Sequence, residues 1–341
     1  MSLFTNANYL LDEFGNYLRI LGNYHDNDAV YSYVQYYPSK IGHRTIKDEK
    51  YGYSSFVQHS FEFFAQQPGR YRFSPYHGEV MIITPLASIK SIFDCRSQFK
   101  YLIDNPYQYS HLKSGRELTK LIDILDKYVN LDLVGITGSF LLDHPNDASD
   151  IDLVCYGKDG FFGMKKFFEE SSFIIPYRGE DAIWLYNHRK KHMNPMKFDL
   201  FEKQEGRKLI GMTSNERVHI VCQPQRGDEI CLYEGIPCMN IGEITCLLVI
   251  SDHQQGYYAP AYYDIEVQHI FEGFSQSHAN LQSQIKVLIS HQGFYANSFR
   301  QGDLVHVTGK LILFLHQNEP TYGIEVSSLG KNQIFQAQMV L

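Results

Sequence analysis

The sequence predicts an α+β protein made of three consecutive regions. Residues 1–105 mix strand-like runs with helical spacing, which indicates an N-terminal α/β region. Residues 106–238 continue this mixture around two short apolar runs and form a central domain. Residues 239–341 contain five strand-like runs separated by turn residues, which predicts a small β-barrel of the group that includes OB folds.

Three patterns predict the main elements of the N-terminal region. The β-rich run over residues 29–37 is closed by Pro38, which favours a strand. Aromatic residues at helical spacing predict a helix over 54–67, and turn residues between 71–75 and 79–84 predict a hairpin. Basic side chains are scattered here, and we interpret them as solvated surface, with a path for a polynucleotide as the alternative: Arg44, Lys47, Lys50, Arg70 and Arg72.

The central region is predicted to alternate helices and strands. Apolar residues at three- and four-residue spacing predict helices over 114–128 and 160–170. Apolar alternation then predicts strands over 182–186 and 197–201, joined by a positively charged loop over 187–192. We interpret that loop as solvated, with a phosphate or nucleic-acid contact as the alternative. The strands expected in the C-terminal region are 243–250, 262–269, 284–290, 303–315 and 322–326.

Composition places the chain among ordinary globular proteins. Of its 341 residues, 44% are hydrophobic and 20% are charged. No apolar run approaches the ~20 residues that span a bilayer, and the first residues lack the basic lead of a signal peptide. The six cysteines are scattered without a CxxC pair, which indicates free thiols. We therefore expect a cytoplasmic protein with no membrane partner.

The distribution of charge bears on possible partners. The net charge is −7, and residues 240–341 hold four basic against eight acidic side chains. A broad electrostatic grip on nucleic acid requires many cationic contacts with phosphates. The C-terminal region is therefore not expected to hold a polynucleotide strongly.

Two carboxylates stand where the central apolar runs approach each other. The first run, over residues 131–136, stops at Gly138-Ser139, and the second begins directly after Asp150-Ile151-Asp152. Side chains two positions apart in a strand point to the same face, so Asp150 and Asp152 should lie together and repel. We call these two residues the acidic pair. Oxygen-only ligation of this kind suits Mg²⁺.

The sequence around the acidic pair carries a family resemblance. Gly138-Ser139 followed after about a dozen residues by Ser149-Asp150-Ile151-Asp152-Leu153 resembles the signature of nucleotidyltransferases of the DNA-polymerase-β superfamily. A closer resemblance is to an uncharacterised, archaeal-type group with a long N-terminal region and a β-rich tail. The resemblance implies a third carboxylate on a later strand of the same sheet. Asp199, in the run 196–201, is the candidate, with Glu202 or Glu205 as substitutes.

The resemblance also implies an activity. It is the Mg²⁺-dependent transfer of a nucleoside monophosphate, most often AMP, from a nucleoside triphosphate to an RNA end, a protein or a small molecule. Asp150, Asp152 and Asp199 would hold two Mg²⁺ ions, for which Mn²⁺ can substitute. Gly138 and Ser139 would contact the phosphates. The alternative is an inactive nucleotide- or nucleic-acid-binding protein that keeps the fold.

One part of the family pattern is missing. Many members carry Arg-Gly shortly after the Gly-Ser pair, whereas Leu141, Leu142 and Asp143 stand here. A basic contact with the triphosphate must then come from elsewhere in the chain. Arg189 and Lys190, in the positively charged loop, are the residues that we expect to supply it.

Overall fold

The computed structural model describes residues 4–54, 57–190, 196–273, 281–291, 293–315, 320–326 and 336–340. It is an α+β protein with two compact units, each assembled from separate stretches of chain. Unit 1 consists of Met1–Gln66, Ile82–Tyr177 and Leu209–Glu229, and unit 2 of Gln67–Met81, Arg178–Lys208 and Ile230–Leu341. The units divide the chain differently from the three predicted regions, because unit 2 takes segments from the first two.

The strands and helices are numbered in chain order. The strands are β1 (Tyr9–Asp12), β2 (Tyr17–Ile20), β3 (Ala29–Pro38), β4 (Arg44–Ile46), β5 (Glu49–Tyr53), β6 (Tyr71–Ser74), β7 (Glu79–Pro85), β8 (Ile89–Phe93), β9 (Val134–Ile136), β10 (Ile151–Tyr156), β11 (Ile174–Ile175), β12 (Ile210–Thr213), β13 (His219–Gln225), β14 (Cys238–Asp252), β15 (Ala261–Gly273), β16 (Ile285–Ser290), β17 (Leu304–Phe314), β18 (Thr321–Glu325) and β19 (Gln336–Met339). The helices are α1 (Val57–Phe63), α2 (Cys95–Asp104), α3 (Lys113–Leu125), α4 (Gly138–Leu141), α5 (Gly157–Glu170), α6 (Glu180–Arg189), α7 (Phe198–Glu205) and α8 (Leu281–Gln284).

An antiparallel sheet forms the N-terminal part of unit 1. Its strands run in the order β4-β5-β3-β2-β1-β8, and β7 pairs with both β3 and β6. The predicted strand over 29–37 and the predicted hairpin over 71–84 are therefore confirmed. The register places Arg19 directly opposite Tyr9 on one side and Tyr33 on the other, so the three side chains form one row across the sheet.

A second sheet lies in the same unit. It has the order β11-β12-β13-β10-β9, with β10 parallel to β13 and antiparallel to β9. The two central apolar runs thus end in neighbouring strands, as predicted. Helices predicted before and after them are confirmed as α3 and α5. Helix α5 packs close to the face that carries Cys155, since a Cβ at Gly160 would lie 3.6 Å from that residue's Cβ.

The C-terminal strands close into a five-stranded barrel. The order β14-β15-β16-β18-β17 returns to β14, and β16 with β18 is the one parallel pair among these strands. All five predicted strands are present. Strand β19 is not part of this closed order and pairs antiparallel with β17. The small barrel expected from the turn spacing is therefore confirmed.

Two predicted strands are wrong. Residues 182–186 lie in helix α6 and residues 197–201 begin helix α7, whereas Lys191 and His192 of the predicted loop lie outside the described residues. The buried side chains of α6 are three residues apart, and those of α7 follow a helical repeat. Acidic residues in the first turn of α6 and basic residues in its last turn complement the helix dipole. Segments this short fit both the helical and the strand period, and the charges at the two ends of α6 favour the helix.

No helix of the described residues is long and apolar enough to cross a membrane. The longest, α5, has 14 residues and carries charged side chains along its length. A membrane-spanning helix needs about 20 predominantly apolar residues.

One hydroxyl organises the end of the barrel, and its removal tests the packing. Tyr263 is 1% exposed, and its hydroxyl contacts the carbonyl oxygens of Gly256 at 3.0 Å and Tyr295 at 2.6 Å. It also accepts from the backbone N–H of Ser298 at 3.0 Å. We expect Tyr263→Phe to lower the free energy of unfolding by roughly 1–3 kcal/mol, because buried backbone groups lose their partner.

Urea denaturation would measure this change. Tyr257→Phe is the matched control, since Tyr257 is only half-buried and its hydroxyl contacts the side chain of His253 at 3.2 Å. Equal losses in the two variants would contradict the role given to the Tyr263 hydroxyl.

Candidate functional site

Gly138 positions the acidic pair. It begins α4 directly after β9, and its φ of +66° lies in the left-handed region that favours glycine. A Cβ at this position would overlap Oδ2 of Asp152. The backbone N–H of Thr137 donates to the carbonyl oxygen of Asp152 at 2.8 Å. The glycine of the Gly-Ser pair therefore lets the backbone lie directly against a carboxylate.

The two carboxylates lie together at the start of β10. Asp152 is the second residue of the strand and is half-buried, while Asp150 immediately precedes the strand and is exposed. The loop before them is held by its own hydrogen bonds, because Ser149 Oγ accepts from the N–H of Asn146 at 2.8 Å. The N–H of Ser149 in turn donates to the carbonyl of Asn146 at 2.9 Å. Gly138 thus lies against Asp152, and Asp150 immediately precedes the same strand.

The face that carries Asp152 is covered by the N-terminal sheet. Val154 and Tyr156 share this face with Asp152, because alternate residues of a strand point the same way. Both pack in one buried cluster with Tyr9 and Tyr17 of the N-terminal sheet. Asp152 therefore lies at the junction of two sheets of unit 1, next to side chains that no local motif points to.

Arg19 is the basic residue that sequence reasoning missed. Its Nη2 donates to Oε1 of Gln223 on β13 at 2.8 Å, which links the two sheets. Gln223 is opposite Val154 in the parallel pairing and so shares the face of Asp152. The one sequence signal is an arginine inside the strand Tyr17–Ile20, whose other residues are buried.

The charges of the site perturb one another. Although part of Asp150 is open to solvent, the protein packed around its carboxyl raises its pKa to about 7, with repulsion from Asp152 acting in the same direction and Arg44 opposing it. Burial also raises the pKa of Asp152, and Arg19 opposes that shift. Burial disfavours the charge of Arg19, but Tyr33, Tyr9 and Asp152 together hold its pKa above the ordinary value.

Arg44 and a group of aromatic rings lie near the acidic pair. The guanidinium carbon of Arg44 lies 5.7 Å from the centre of the Tyr53 ring, within the range of a cation–π contact. The Tyr36 ring lies 5.3 Å from that of Tyr53 and 5.3 Å from that of His144. Arg44, which the sequence placed among solvated basic residues, is thus a neighbour of Asp150.

The other predicted site residues lie in unit 2. Asp199 is exposed in the first turn of α7, so its predicted position on a strand of the sheet is wrong. Within the described strands β9 to β13, Asp152 is the sole acidic side chain. Its predicted substitutes are also on α7, where Glu205 is buried against Arg189 and Lys208, and Glu202 is exposed. The buried residues of this segment follow the helical repeat and not the alternation expected of a strand.

The predicted phosphate-binding residues have partners within their own helical pair. Arg189 ends α6 and forms an ion pair with Glu205 of α7. Lys190 directly follows α6, and its Nζ donates to Oδ1 of Asn187 at 2.7 Å. The predicted loop is therefore wrong at Arg189, which lies in the helix, and a contact of Arg189 or Lys190 with a triphosphate stays a prediction.

The donor set fits a single hard cation. Two carboxylates, on Asp150 and Asp152, match the one or two through which proteins usually bind Mg²⁺, the remaining ligands being water and substrate phosphates. Burial is the main cause of the raised pKa of Asp150, and repulsion from Asp152 adds to it; a cation would relieve that repulsion. Among the described residues, no group of three or more His, Cys, Asp or Glu side chains is arranged to hold a metal ion.

Comparisons with known proteins found no match. Neither the models of protein families, nor the curated proteins, nor the solved structures contain one that resembles this chain closely enough to be reported.

Gly138→Ala tests the contact between the glycine and the carboxylate. Gly22→Ala is a matched control, because Gly22 has a φ of +71° but nothing within 4 Å of a built Cβ. The control should cost about 1–2 kcal/mol of unfolding free energy through its left-handed backbone alone. Gly138→Ala should cost at least about 1 kcal/mol more, because the Asp152 carboxylate must also move.

Denaturation of the two single variants would measure the difference. In an Asp152→Ala background, which removes the carboxylate and keeps its Cβ, the excess cost at Gly138 should vanish. An excess that persists would mean that Asp152 does not set the requirement for glycine.

The raised pKa of Asp150 predicts a pH dependence in metal-free protein. Because the folded state binds this proton more tightly than the unfolded chain, the associated stability is complete below the ordinary pKa of 3.8 and is lost as pH rises through about 7. Asp150→Asn does not titrate. Its unfolding free energy relative to wild type should therefore increase from about pH 5 to about pH 8.

Urea titrations with a chelator present would follow this trend. Asp159→Asn, an exposed acid in the first turn of α5, is the control and should show no such increase. A difference between wild type and Asp150→Asn that stays constant with pH would contradict the raised pKa.

Proposed function

We propose that the protein is a Mg²⁺-dependent nucleotidyltransferase that moves a nucleoside monophosphate, most often AMP, from a nucleoside triphosphate to an acceptor. The observation that carries the proposal is the contact of Gly138 with the carboxylate of Asp152, beside Asp150. The acceptor is an RNA end, a protein side chain or a small molecule. The proposal includes a polymerase-β-type fold for the central sheet and an OB-like fold for the barrel, which its closed five-strand order supports.

The chain's own residues would bind and orient the nucleotide. Asp150 and Asp152 would hold the Mg²⁺ ion, and the N–H and hydroxyl of Ser139 would contact the leaving phosphates. A bound Mg²⁺ would neutralise phosphate charge and polarise the α-phosphate. The acceptor oxygen then bonds to the α-phosphorus as the bond to the β-phosphate oxygen breaks, and pyrophosphate leaves. Asp199 stays the predicted acceptor of the attacking group's proton and third ligand.

A rival function draws on the position of Asp199. Because that residue is on a helix of unit 2 and not on the sheet, the sheet itself supplies one fewer carboxylate than two metal ions require. A protein that binds a nucleotide or nucleic acid without turnover would need the acidic pair but not the third ligand. Activity therefore decides between the two.

Transfer from labelled nucleotides tests the proposal. Each α-labelled nucleoside triphosphate would be offered with Mg²⁺ or Mn²⁺ to RNA, protein and small-molecule acceptors. Asp150→Asn and Asp152→Asn should each reduce transfer by roughly a hundredfold or more, because either loss removes a metal ligand. Asp159→Asn, an acid of the same unit outside the site, should keep wild-type activity.

The outcomes separate the two functions. Transfer within tenfold of wild type in either variant of the acidic pair would remove the metal assignment. Metal-dependent binding of a nucleotide with no transfer to any acceptor would favour the rival. Asp199→Asn extends the test, since loss of transfer with unchanged nucleotide affinity would support its role as third carboxylate.

A further inference from the structure

Arg19 occupies an unusual position for an arginine. It lies in the centre of the N-terminal sheet, on the inner strand β2, with Tyr9 and Tyr33 directly opposite on either side. Its side chain is half-buried, and its neighbours in the row are neutral. An arginine on such a face loses hydration, which costs free energy unless other groups stabilise the charge.

No carboxylate forms an ion pair with Arg19 among the described residues, although Asp152 is close enough to favour its charge. Its Nη2 donates to the neutral carboxamide oxygen of Gln223 at 2.8 Å. Burial raises the pKa of Tyr33, whose hydroxyl is also hydrogen-bonded to Arg19, and the charge of Arg19 opposes that shift. The ion pairs found among the described residues do not include Arg19. A guanidinium has five N–H donors, so most of them stay available for another acceptor.

Arg19 is close enough to the acidic pair to act on the same ligand. Asp152 and Arg19 influence each other's pKa without forming an ion pair, and both side chains are on facing surfaces of the two sheets. A site with two carboxylates on one side and, on the other, a guanidinium that has no ion-pair partner among the described residues has a place for a cation and a place for an anion. A metal-bound polyphosphate is both.

We propose that Arg19 binds the polyphosphate of the nucleotide and so supplies the basic contact that is missing after the Gly-Ser pair. This inference rests on the proposed function and names the residue that recognises its substrate. The planar fork of a guanidinium matches two phosphate oxygens at once, a geometry that an ammonium group does not reproduce. Gln223 would orient Arg19 through its hydrogen bond, as a positioning residue.

A purely structural role for Arg19 makes a different prediction. If Arg19 only links the sheets through Gln223, its loss should lower stability and leave anion affinity unchanged in the folded protein. If Arg19 binds phosphate, its loss should lower affinity in a protein that still melts cooperatively. Affinity and stability must therefore be measured on the same variants.

Calorimetric titration with inorganic tripolyphosphate and Mg²⁺ is the decisive experiment, because it requires no catalysis. Arg19→Gln should weaken tripolyphosphate binding by about tenfold or more, and Arg19→Lys should recover only part of the loss. Arg116→Gln is the matched control, because it removes the same charge from an exposed pair with Glu216 in the same unit. Unchanged affinity in folded Arg19→Gln would overturn the proposal.

A second measurement uses the wild-type chain, in case Arg19→Gln fails to fold. Arg19 would be modified by phenylglyoxal, and peptide mapping would quantify the reaction with and without tripolyphosphate. Protection at Arg19 and not at Arg116 supports the proposal, and equal reaction at Arg19 in both conditions overturns it.

The tests separate this inference from the proposed function. Tripolyphosphate binding through Arg19 without nucleotide transfer would refute the transferase and leave the anion site in place. Transfer whose KM for the nucleoside triphosphate is unchanged in Arg19→Gln would support the transferase and refute the role of Arg19.

Discussion

The carboxylate of Asp152 is held where two β-sheets meet, and the arrangement of unit 1 follows from that charge. An ionised group loses hydration in such a place, so its surroundings must restore favourable contacts. Gly138 permits close approach of the backbone, and Arg19 offers opposite charge from the facing sheet. The N-terminal sheet is thus part of the site. Without it, the acidic pair would be an ordinary solvated strand end.

In unit 2, helix α7 is attached to the barrel by an ion pair and hydrogen bonds. The end of α7 leads to Arg207, whose guanidinium makes a two-pronged ion pair with Asp303 and also donates to the carbonyl of Ser298 at 2.9 Å. Both partners belong to the barrel unit, and Gln204 of α7 adds a hydrogen bond to Ser298 Oγ at 3.3 Å. The helix that carries Asp199 is therefore fixed to the barrel.

Much of the fold could be predicted because its signals are local. The strands at 134–136 and 151–156 and the barrel strands have clear apolar runs and turn residues, and the helix at 113–125 has a regular stripe. The predictions of strands over 182–186 and 197–201 were wrong because a run of only five residues fits both the strand period and the helical period. Arg19 could not be predicted, since its role depends on the register that brings Tyr9, Tyr33 and Gln223 around it. The local motif identified Gly138 and the acidic pair, whereas the position of Arg19 depends on pairing between strands that are distant in the sequence.

The composition of unit 2 has a consequence for biosynthesis. Glu79 forms an ion pair with Lys310 at 2.6 Å, and the carbonyl of Pro75 accepts from the N–H of Cys238 at 2.7 Å. Glu79 and Lys310 are 231 residues apart in the chain. At ribosomal speeds, that interval lasts on the order of ten to fifty seconds, during which the hairpin over 71–85 lacks its final partners. The hairpin waits through that delay for its partners in the barrel, and a barrel produced from residue 239 onward would lack the hairpin that contacts it.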